Sequence, residues 1–208
     1  MTEHTVNTMK RSALFLTLVL APAIALAEPL TLRLDDGGGA RYYRGGGGSL
    51  GAPVGAWSFS PQFALDIPPS GYDAGPRITL EGMYGATDLA SSVRLDVGIR
   101  GSFAYHSFSR AGGSLWLLEG VPDLKLRFAA SDRVGLYGDF GIGLANIHHS
   151  WDDGVSDNSV AAAIQFGFGV AFGLSPGLNL IGEVRFDIYT RSGSSTFIAL
   201  PTIGLEFF

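Results

Sequence analysis

Residues 160–174 alternate between two kinds of side chain, and this alternation constrains the fold more than any other feature of the sequence. One parity is almost entirely large and apolar, and it includes Val160, Ile164, Phe166, Phe168, Val170, Phe172 and Leu174. The other parity is small apart from one amide, and it comprises Ala161, Ala163, Gln165, Gly167, Gly169, Ala171 and Gly173. Side chains alternate across a β-strand with a period of two, so the segment is predicted to be a strand. Bulky residues toward lipid and small ones toward a crowded interior are typical of a small transmembrane β-barrel.

The same period of two recurs in seven other segments, which together with this one predict eight strands. They cover about residues 54–67, 77–85, 93–105, 114–129, 133–147, 160–174, 178–189 and a last segment that ends at residue 208. Pro61 predicts a bulge or an irregular ladder position in the first strand. Short connections between neighbours make the strands antiparallel. The predicted fold is all-β, an eight-stranded antiparallel up-and-down transmembrane β-barrel domain over residues 54–208.

A soluble barrel of lipocalin type is the rival architecture, because it would show the same alternation with the two faces inverted. The 30 glycines help to distinguish the membrane barrel from the soluble barrel. Gly weakens a strand, so it is not expected at strand positions that face solvent. A narrow eight-stranded lumen leaves little room for side chains and therefore favours Gly on the inward face. Gly and charge concentrate on the same parity, which favours the membrane barrel.

The N-terminus predicts export by a cleaved signal peptide over residues 1–27. Lys10 and Arg11 precede an apolar run, and Ala25-Leu26-Ala27 fits the small-x-small cleavage pattern. The alternative is a membrane anchor, but the run contains Pro22 and is shorter than the roughly 20 residues that a spanning helix needs.

Residues 28–53 are predicted to be a Gly-rich periplasmic linker. They contain runs of three and four consecutive glycines, which lose much backbone entropy on ordering. Arg41, Tyr42, Tyr43 and Arg44 lie between these runs and could contact nucleic acid or peptidoglycan, although solubilising charges in a linker are the favoured reading. The net charge of −5 gives no basic footprint for nucleic acid, and a chain without Cys has no disulfide framework or thiolate chemistry.

The connections predict the orientation of the barrel. Tight turns are expected at Ser131-Asp132 and Ser175-Pro176-Gly177, and a long polar loop is expected over residues 148–159. Tight turns usually face the periplasm and longer loops the outside, so both termini are predicted to be periplasmic. A ninth strand beginning at Leu30 would break this even count.

Fourteen charged residues share the small-residue parity and are predicted to face the lumen. Twelve of them form the predicted lumen ion-pair network: Glu81, Arg94, Asp96, Arg100, Glu119, Asp123, Lys125, Arg127, Asp139, Glu183, Arg185 and Asp187. Asp66 and Glu206 complete the fourteen. An unpaired buried ion is very costly, so these groups are expected to pair and plug the lumen. Nine acids face five bases, which predicts some hydrated or protonated carboxylates and leaves a polar pore or a proton path as the alternative.

The strand count, the alternation and the aromatic C-terminus resemble those of outer-membrane β-barrel proteins of the outer membrane protein A and X type, without a periplasmic globular domain. The resemblance implies the bacterial outer membrane as location, with membrane lipid and lipopolysaccharide as surroundings. It also implies recognition of the last strand by the barrel assembly machinery, where such proteins end in Phe. Here Phe208 is terminal, but the apolar alternation runs through Phe207, Leu205 and Ile203, one residue off that pattern. A monomer with no nucleic-acid partner and no cofactor is expected.

His148-x-Ser150 is the one candidate for catalysis, with both side chains on the predicted lipid face at the end of the fifth strand. The spacing is similar to the His-x-Ser of lipid A deacylases, in which Asn follows the Ser and a later Glu orients the His. Here Trp151 follows, and alanines occupy the later region. A Ser–His pair needs an orienting acid for efficient activation, so a polar rim beside an interfacial Trp is the favoured reading.

Two acidic patterns complete the candidates. Asp152, Asp153 and Asp157 could hold calcium but lack the ordered spacing of a calcium loop, so an exposed acidic loop and no metal are predicted. Glu183-x-Arg185-x-Asp187 resembles a relay but is read as a lumen ion-pair ladder. The predicted function is a non-enzymatic membrane barrel with a structural or surface-interaction role. A lipid A-modifying enzyme and a narrow channel are the alternatives.

Overall fold

The computed structural model describes residues 51–67, 73–108, 112–191 and 194–208. These ranges form eight strands: β1 (Trp57–Asp66), β2 (Gly75–Ala90), β3 (Val93–Ser107), β4 (Gly113–Ala129), β5 (Val134–Trp151), β6 (Ser156–Ser175), β7 (Leu178–Arg191) and β8 (Ser194–Phe207). Each strand pairs antiparallel with the next, and β8 pairs with β1 to close a barrel. The predicted fold class is confirmed. Among the described residues, no helix is long and apolar enough to cross a membrane.

The two faces of the sheet have opposite chemistry. Large apolar side chains such as Phe63, Ile99 and Leu144 are exposed on the outside, while charged and amide side chains are buried inside. On β6 and its neighbours the exterior carries a cluster of stacked rings, with Phe186 centred between Phe166 and Phe197. Because apolar exteriors are costly in water and favourable in lipid, this arrangement excludes the soluble-barrel alternative.

Several strands are longer than the sequence predicts. The hairpin of β5 and β6 stays in register as far as Ser150 and Ser156, so most of the predicted loop over residues 148–159 is strand and the connection is residues 152–155. Similarly, β2 continues to Ala90, and the turn lies at Ser91 and Ser92. A paired neighbour supplies backbone hydrogen bonds to polar residues as readily as to apolar ones, so the pairing extends past the end of the hydrophobic pattern.

Pro61 is predicted to mark a bulge or an irregular ladder position, and the structure shows the second. β1 keeps one continuous register with β2 through that residue, so there is no bulge. In the ladder with β8, the paired residues of β1 pass from Phe59 to Gln62, so the pairing is interrupted at Ser60 and Pro61 without a register shift. Proline lacks an N–H donor, and the seam between first and last strands accommodates that loss. The register shifts instead lie between Gly85 and Ala90 and beside Ser175.

The barrel has two distinct ends. The end at which β1, β3, β5 and β7 finish and β2, β4, β6 and β8 begin is called the loop rim, and it includes the connection of residues 152–155. The other end, called the turn rim, carries the turns of residues 91–92, 130–133 and 176–177 together with residues 51–56 and the C-terminus. Of the predicted linker, only residues 51–53 lie within the described ranges. The predicted signal peptide, the remainder of the linker and the Leu30 segment lie outside them.

Candidate functional site

All twelve residues of the predicted ion-pair network lie inside the barrel, and each is at most 8% exposed. Asp66 and Glu206 are buried with them. The charged groups form three layers along the barrel axis. They are called the loop-side, central and turn-side layers, after their positions relative to the two rims.

The loop-side layer is centred on Arg77, a β2 residue that the predicted network omits. Its guanidinium makes a bidentate contact with Asp66, with Nε–Oδ1 at 2.8 Å and Nη2–Oδ2 at 2.9 Å. Nη1 lies 2.6 Å from Glu119 and 2.7 Å from Asp187. The Tyr189 hydroxyl accepts a hydrogen bond from Nη2 at 3.0 Å and lies 2.8 Å from Glu119, to which it can donate. One buried cation therefore ties together carboxylates from β1, β4 and β7.

The central layer is centred on Arg100. Its Nη2 lies 2.7 Å from Glu81 and 2.7 Å from Asp123, and its Nη1 lies 3.4 Å from Asp139. The Lys125 ammonium also contacts Glu81 and lies 4.8 Å from the centroid of a Tyr ring on β5. Two cations and three carboxylates thus meet in one cross-section of the barrel.

Arg185 extends the central layer to the opposite wall. Its Nε donates to Glu183 at 2.7 Å, and its Nη2 donates to the amide oxygen of Gln62 on β1 at 2.8 Å. The Tyr137 hydroxyl donates to the other oxygen of Glu183 at 3.1 Å. Asp187, two residues further along the strand, contacts Arg77 instead and belongs to the loop-side layer. The predicted ladder of Glu183, Arg185 and Asp187 is therefore divided between two layers.

The turn-side layer is centred on Arg127, which contacts Asp96 through Nε and holds both carboxylate oxygens of Glu206. Asn179 donates to the same carboxylate at 2.9 Å. Arg94 lies closer to the turn rim, where its Nε is 2.7 Å from the exposed Asp88 and its Nη1 contacts the Ala52 carbonyl oxygen. The described start of the chain thus lies across the end of the lumen.

The small face of β6 makes room for these side chains. A Cβ on Gly167 would lie 2.9 Å from the Glu183 carboxylate and 3.0 Å from Asp139. A Cβ on Gly169 would lie 2.5 Å from the Tyr137 ring and 2.6 Å from the Gly182 carbonyl oxygen. Gly167 and Gly169 are therefore positions where a side chain would collide with the residues that fill the lumen.

Several buried lumen residues are not predicted from the sequence. Arg77 shares the parity of Glu81 on β2, which is the signal that identifies it, and its presence changes the count to six bases against nine acids. His106 lies inward at the loop end of β3, where its Nε2 is 3.1 Å from Asp66. The inward tyrosines 137 and 189 have the right parity too, but aromatic residues on a polar face resemble interfacial ones in sequence.

The His148 and Ser150 pair lies at the loop rim on the outer face. The His148 ring stacks on Trp116 with centroids 4.9 Å apart. Among the described residues, no carboxylate forms a hydrogen bond or ion pair with His148. The acidic residues of the same rim have other roles: Asp153 accepts a hydrogen bond from the Val155 N–H at 3.0 Å.

Asp157 forms a half-exposed ion pair with Arg191 at 3.6 Å. In the part of the chain that the structure describes, no three His, Asp or Glu side chains are grouped to hold a metal ion.

An apolar exterior around a charged, Gly-lined interior defines an integral membrane β-barrel. A family model described as outer membrane protein beta-barrel domain matches residues 12–197, and the chain belongs to this family. It is an eight-stranded barrel of the outer membrane protein A and X type, located in the bacterial outer membrane. No curated protein sequence matches the chain.

Solved structures share the fold. The attachment invasion locus protein Ail of Yersinia pestis is 18% identical, with a TM-score of 0.51 over 74% of this chain and 99% of that chain. Neisserial surface protein A is 13% identical, with a TM-score of 0.55 over 73% and 94% of the two chains. The outer membrane enzyme PagL is 18% identical, with a TM-score of 0.54 over 72% and 99%.

Proposed function

We propose that this protein is a non-enzymatic outer-membrane barrel whose lumen is plugged by its ion-pair network and whose role is structural or surface-interacting. The observation that carries the proposal is the position of four Arg side chains in the three layers, each at most 1% exposed: Arg77, Arg100, Arg127 and Arg185. Each contacts a carboxylate or amide on another strand. These contacts close the cross-section in every layer.

The energetics of buried ions support a plug over a pore. An ion or a solute that passed through would have to displace at least one of these contacts in each layer. Breaking a buried pair from one side costs about 3–5 kcal/mol, because it leaves an uncompensated charge in a medium of low polarity. Three such layers in series present a barrier that a water-filled channel does not have.

A closed lumen leaves the exterior and the loop rim as the functional surfaces. Two structures of the same fold are called an attachment invasion locus protein and a surface protein, which is the support for a surface-interaction role. The proposed partners are outer-membrane lipid and lipopolysaccharide around the apolar exterior. The barrel assembly machinery would act on β8, whose Ile203, Leu205 and Phe207 face outward. The barrel is proposed to act as a monomer, exported by a cleaved signal peptide and oriented with the turn rim in the periplasm.

Planar-bilayer recordings test the plug. The wild-type barrel is expected to show no conductance steps. A double variant that removes one central pair, Glu81→Ala with Arg100→Ala, is expected to conduct, because it opens the layer while conserving net charge. The matched control is a double variant of the exposed pair at the rim, Asp157→Ala with Arg191→Ala, which is expected to stay silent. Regular steps from the wild-type barrel would favour the channel instead.

The enzyme alternative has one observation in its favour, since the outer membrane enzyme PagL shares the fold and His148-x-Ser150 lies on the outer face at the rim. We expect the double variant His148→Ala, Ser150→Ala to leave the acyl pattern of lipid A unaltered in mass spectra of the cells. A wild-type pattern that either single substitution abolishes would replace the non-enzymatic proposal by lipid A modification.

A further inference from the structure

The inward face becomes partly apolar between the loop-side layer and the loop rim. On β4, β5, β6 and β8, the apolar inward positions in this region are Leu115, Leu117, Ile147, Ala161 and Ile198. The polar His149 of β5 and Ser159 of β6 line the same region closer to the loop rim. Together they enclose a cavity of about 280 Å³, which opens at the loop rim and is called the mouth pocket. A plug needs only paired charges, so an apolar chamber above it is not explained by the function proposed for the lumen.

The polar groups at the floor of the mouth pocket already contact other polar groups of the protein. The Tyr189 hydroxyl accepts from Arg77 and lies within 2.8 Å of Glu119. The two ring nitrogens of His106 lie 3.1 Å from an Asp66 carboxylate oxygen and 3.2 Å from the Asp73 carbonyl oxygen. A polar ligand would therefore find no free partner at the floor and would lose its own hydration there.

The charges at the entrance balance each other. Arg191 lines the pocket and pairs at 3.6 Å with Asp157, and both side chains are about half exposed, at 48% and 50%. The entrance is completed by the hydroxyl residues Ser194 and Thr196. A balanced ion pair gives neither anions nor cations an electrostatic advantage, so selection falls to shape and to the apolar walls.

We propose that the mouth pocket is a binding site for one small neutral apolar molecule of about the size of naphthalene. A cavity of about 150 Å³ lined by Leu, Ile and Phe holds benzene, so a chamber of 280 Å³ accommodates two fused rings. Eight-stranded barrels are just wide enough to hold one small ligand when side chains leave space. The apolar walls provide the affinity, and the paired charges beneath them form a rigid floor.

Methyl NMR of the barrel in lipid nanodiscs tests the proposal, with naphthalene as the probe and without alkyl detergents, which would compete for the same chamber. The methyl groups of Leu117 and Ile198 are expected to show saturable shifts. The outward methyl groups of Leu118 and Val160, which are 54% and 60% exposed, report partitioning into lipid and are expected to shift linearly. Naphthalene-2-sulfonate, the same ring system with a charge, is expected to bind at least tenfold more weakly.

Variants separate the pocket from the surrounding lipid. Ala161→Trp fills the chamber and is expected to abolish the saturable shifts, whereas Val160→Trp, its outward neighbour, is expected to retain them. Thr196→Trp obstructs the entrance from a half-buried position and is expected to weaken binding at least fivefold. Heat-modifiable gel mobility verifies that each variant is folded. Equal affinity for the sulfonate, indistinguishable shifts of inward and outward methyl groups, or full binding by a folded pocket variant would each overturn the proposal.

Discussion

Arg77 provides the sharpest test of how the barrel is stabilised. The substitution Arg77→Met keeps a long side chain but removes the cation that contacts Asp66, Glu119 and Asp187, all of which have fully buried side chains. Truncating one side of a buried ion pair costs about 3–5 kcal/mol because the remaining charge is uncompensated. We expect a loss of that size in the free energy of unfolding.

The cost does not triple with the number of carboxylates, because each of them retains another contact. Asp66 keeps its contact with His106 at 3.1 Å. The Tyr189 hydroxyl still lies 2.8 Å from Glu119 and 3.0 Å from Asp187 and can donate its one proton to either carboxylate. Removing one orphaned charge in the same chain should restore part of the loss. The double variant Arg77→Met, Asp187→Asn is therefore expected to be at least about 1 kcal/mol more stable than Arg77→Met alone.

Arg191→Met is the matched control, since Arg191 lies on the same parity but forms a half-exposed pair with Asp157 at 3.6 Å. Exposed pairs contribute about 0–1 kcal/mol, so the two substitutions should differ by at least about 2 kcal/mol. Reversible urea unfolding in lipid vesicles, followed by the fluorescence of the three tryptophans, measures both. If Arg77→Met proves as mild as Arg191→Met, the lumen is hydrated and the channel alternative replaces the plug.

Three further outcomes follow from the same geometry. Gly169→Ala should cost about 1–3 kcal/mol in urea unfolding by overpacking the lumen, while Gly138→Ala, whose Cβ would have no contact closer than 3.7 Å, should not destabilise the barrel; equal effects would contradict the crowded interior. A protease site inserted at Gly154 should be cut on intact cells and one at Gly177 should not, and the reverse result would invert the orientation. Phe186→Arg should cost about 2–4 kcal/mol if the residue lies near the bilayer midplane, and Phe186→Leu clearly less; the opposite order would argue against lipid at this face.

Most of the fold can be predicted from the sequence, because alternate residues of each strand face different surroundings. Lipid favours large apolar side chains, whereas a narrow lumen favours small or polar ones. The bulky parity of β6 and its glycines predict the two faces, and a period of two leaves no helical alternative. Strand ends are less predictable, because a strand that continues beyond the membrane no longer needs large apolar residues at alternate positions. The hairpin that continues through His148 and His149 shows this, since backbone pairing and stacked rings hold it together there without the apolar alternation.

Parity also predicts which charged residues lie inside, but not which of them meet. Glu183, Arg185 and Asp187 are neighbours on one strand, about 7 Å apart in steps of two residues, which favours a local ladder in sequence. In the barrel, Asp187 instead contacts Arg77 on β2 at 2.7 Å. Strand tilt and stagger determine which residues share a cross-section of the lumen, and these properties belong to the closed barrel as a whole.

The apolar lining between the loop-side layer and the loop rim also results from closure of the barrel, which brings residues of different strands together. Leu115 and Leu117 have the parity of Glu119, so in sequence they read as irregularities of a polar face. In the barrel they converge with Ile198 from β8 around one chamber, whose floor is the Tyr189 ring. The hydroxyl of that same Tyr contacts Arg77 and Glu119, so the ion pairs of the loop-side layer also hold the floor of the mouth pocket in place. Because the Tyr189 hydroxyl and both His106 ring nitrogens already contact other protein groups, the floor offers few hydrogen-bond partners to water that enters the chamber.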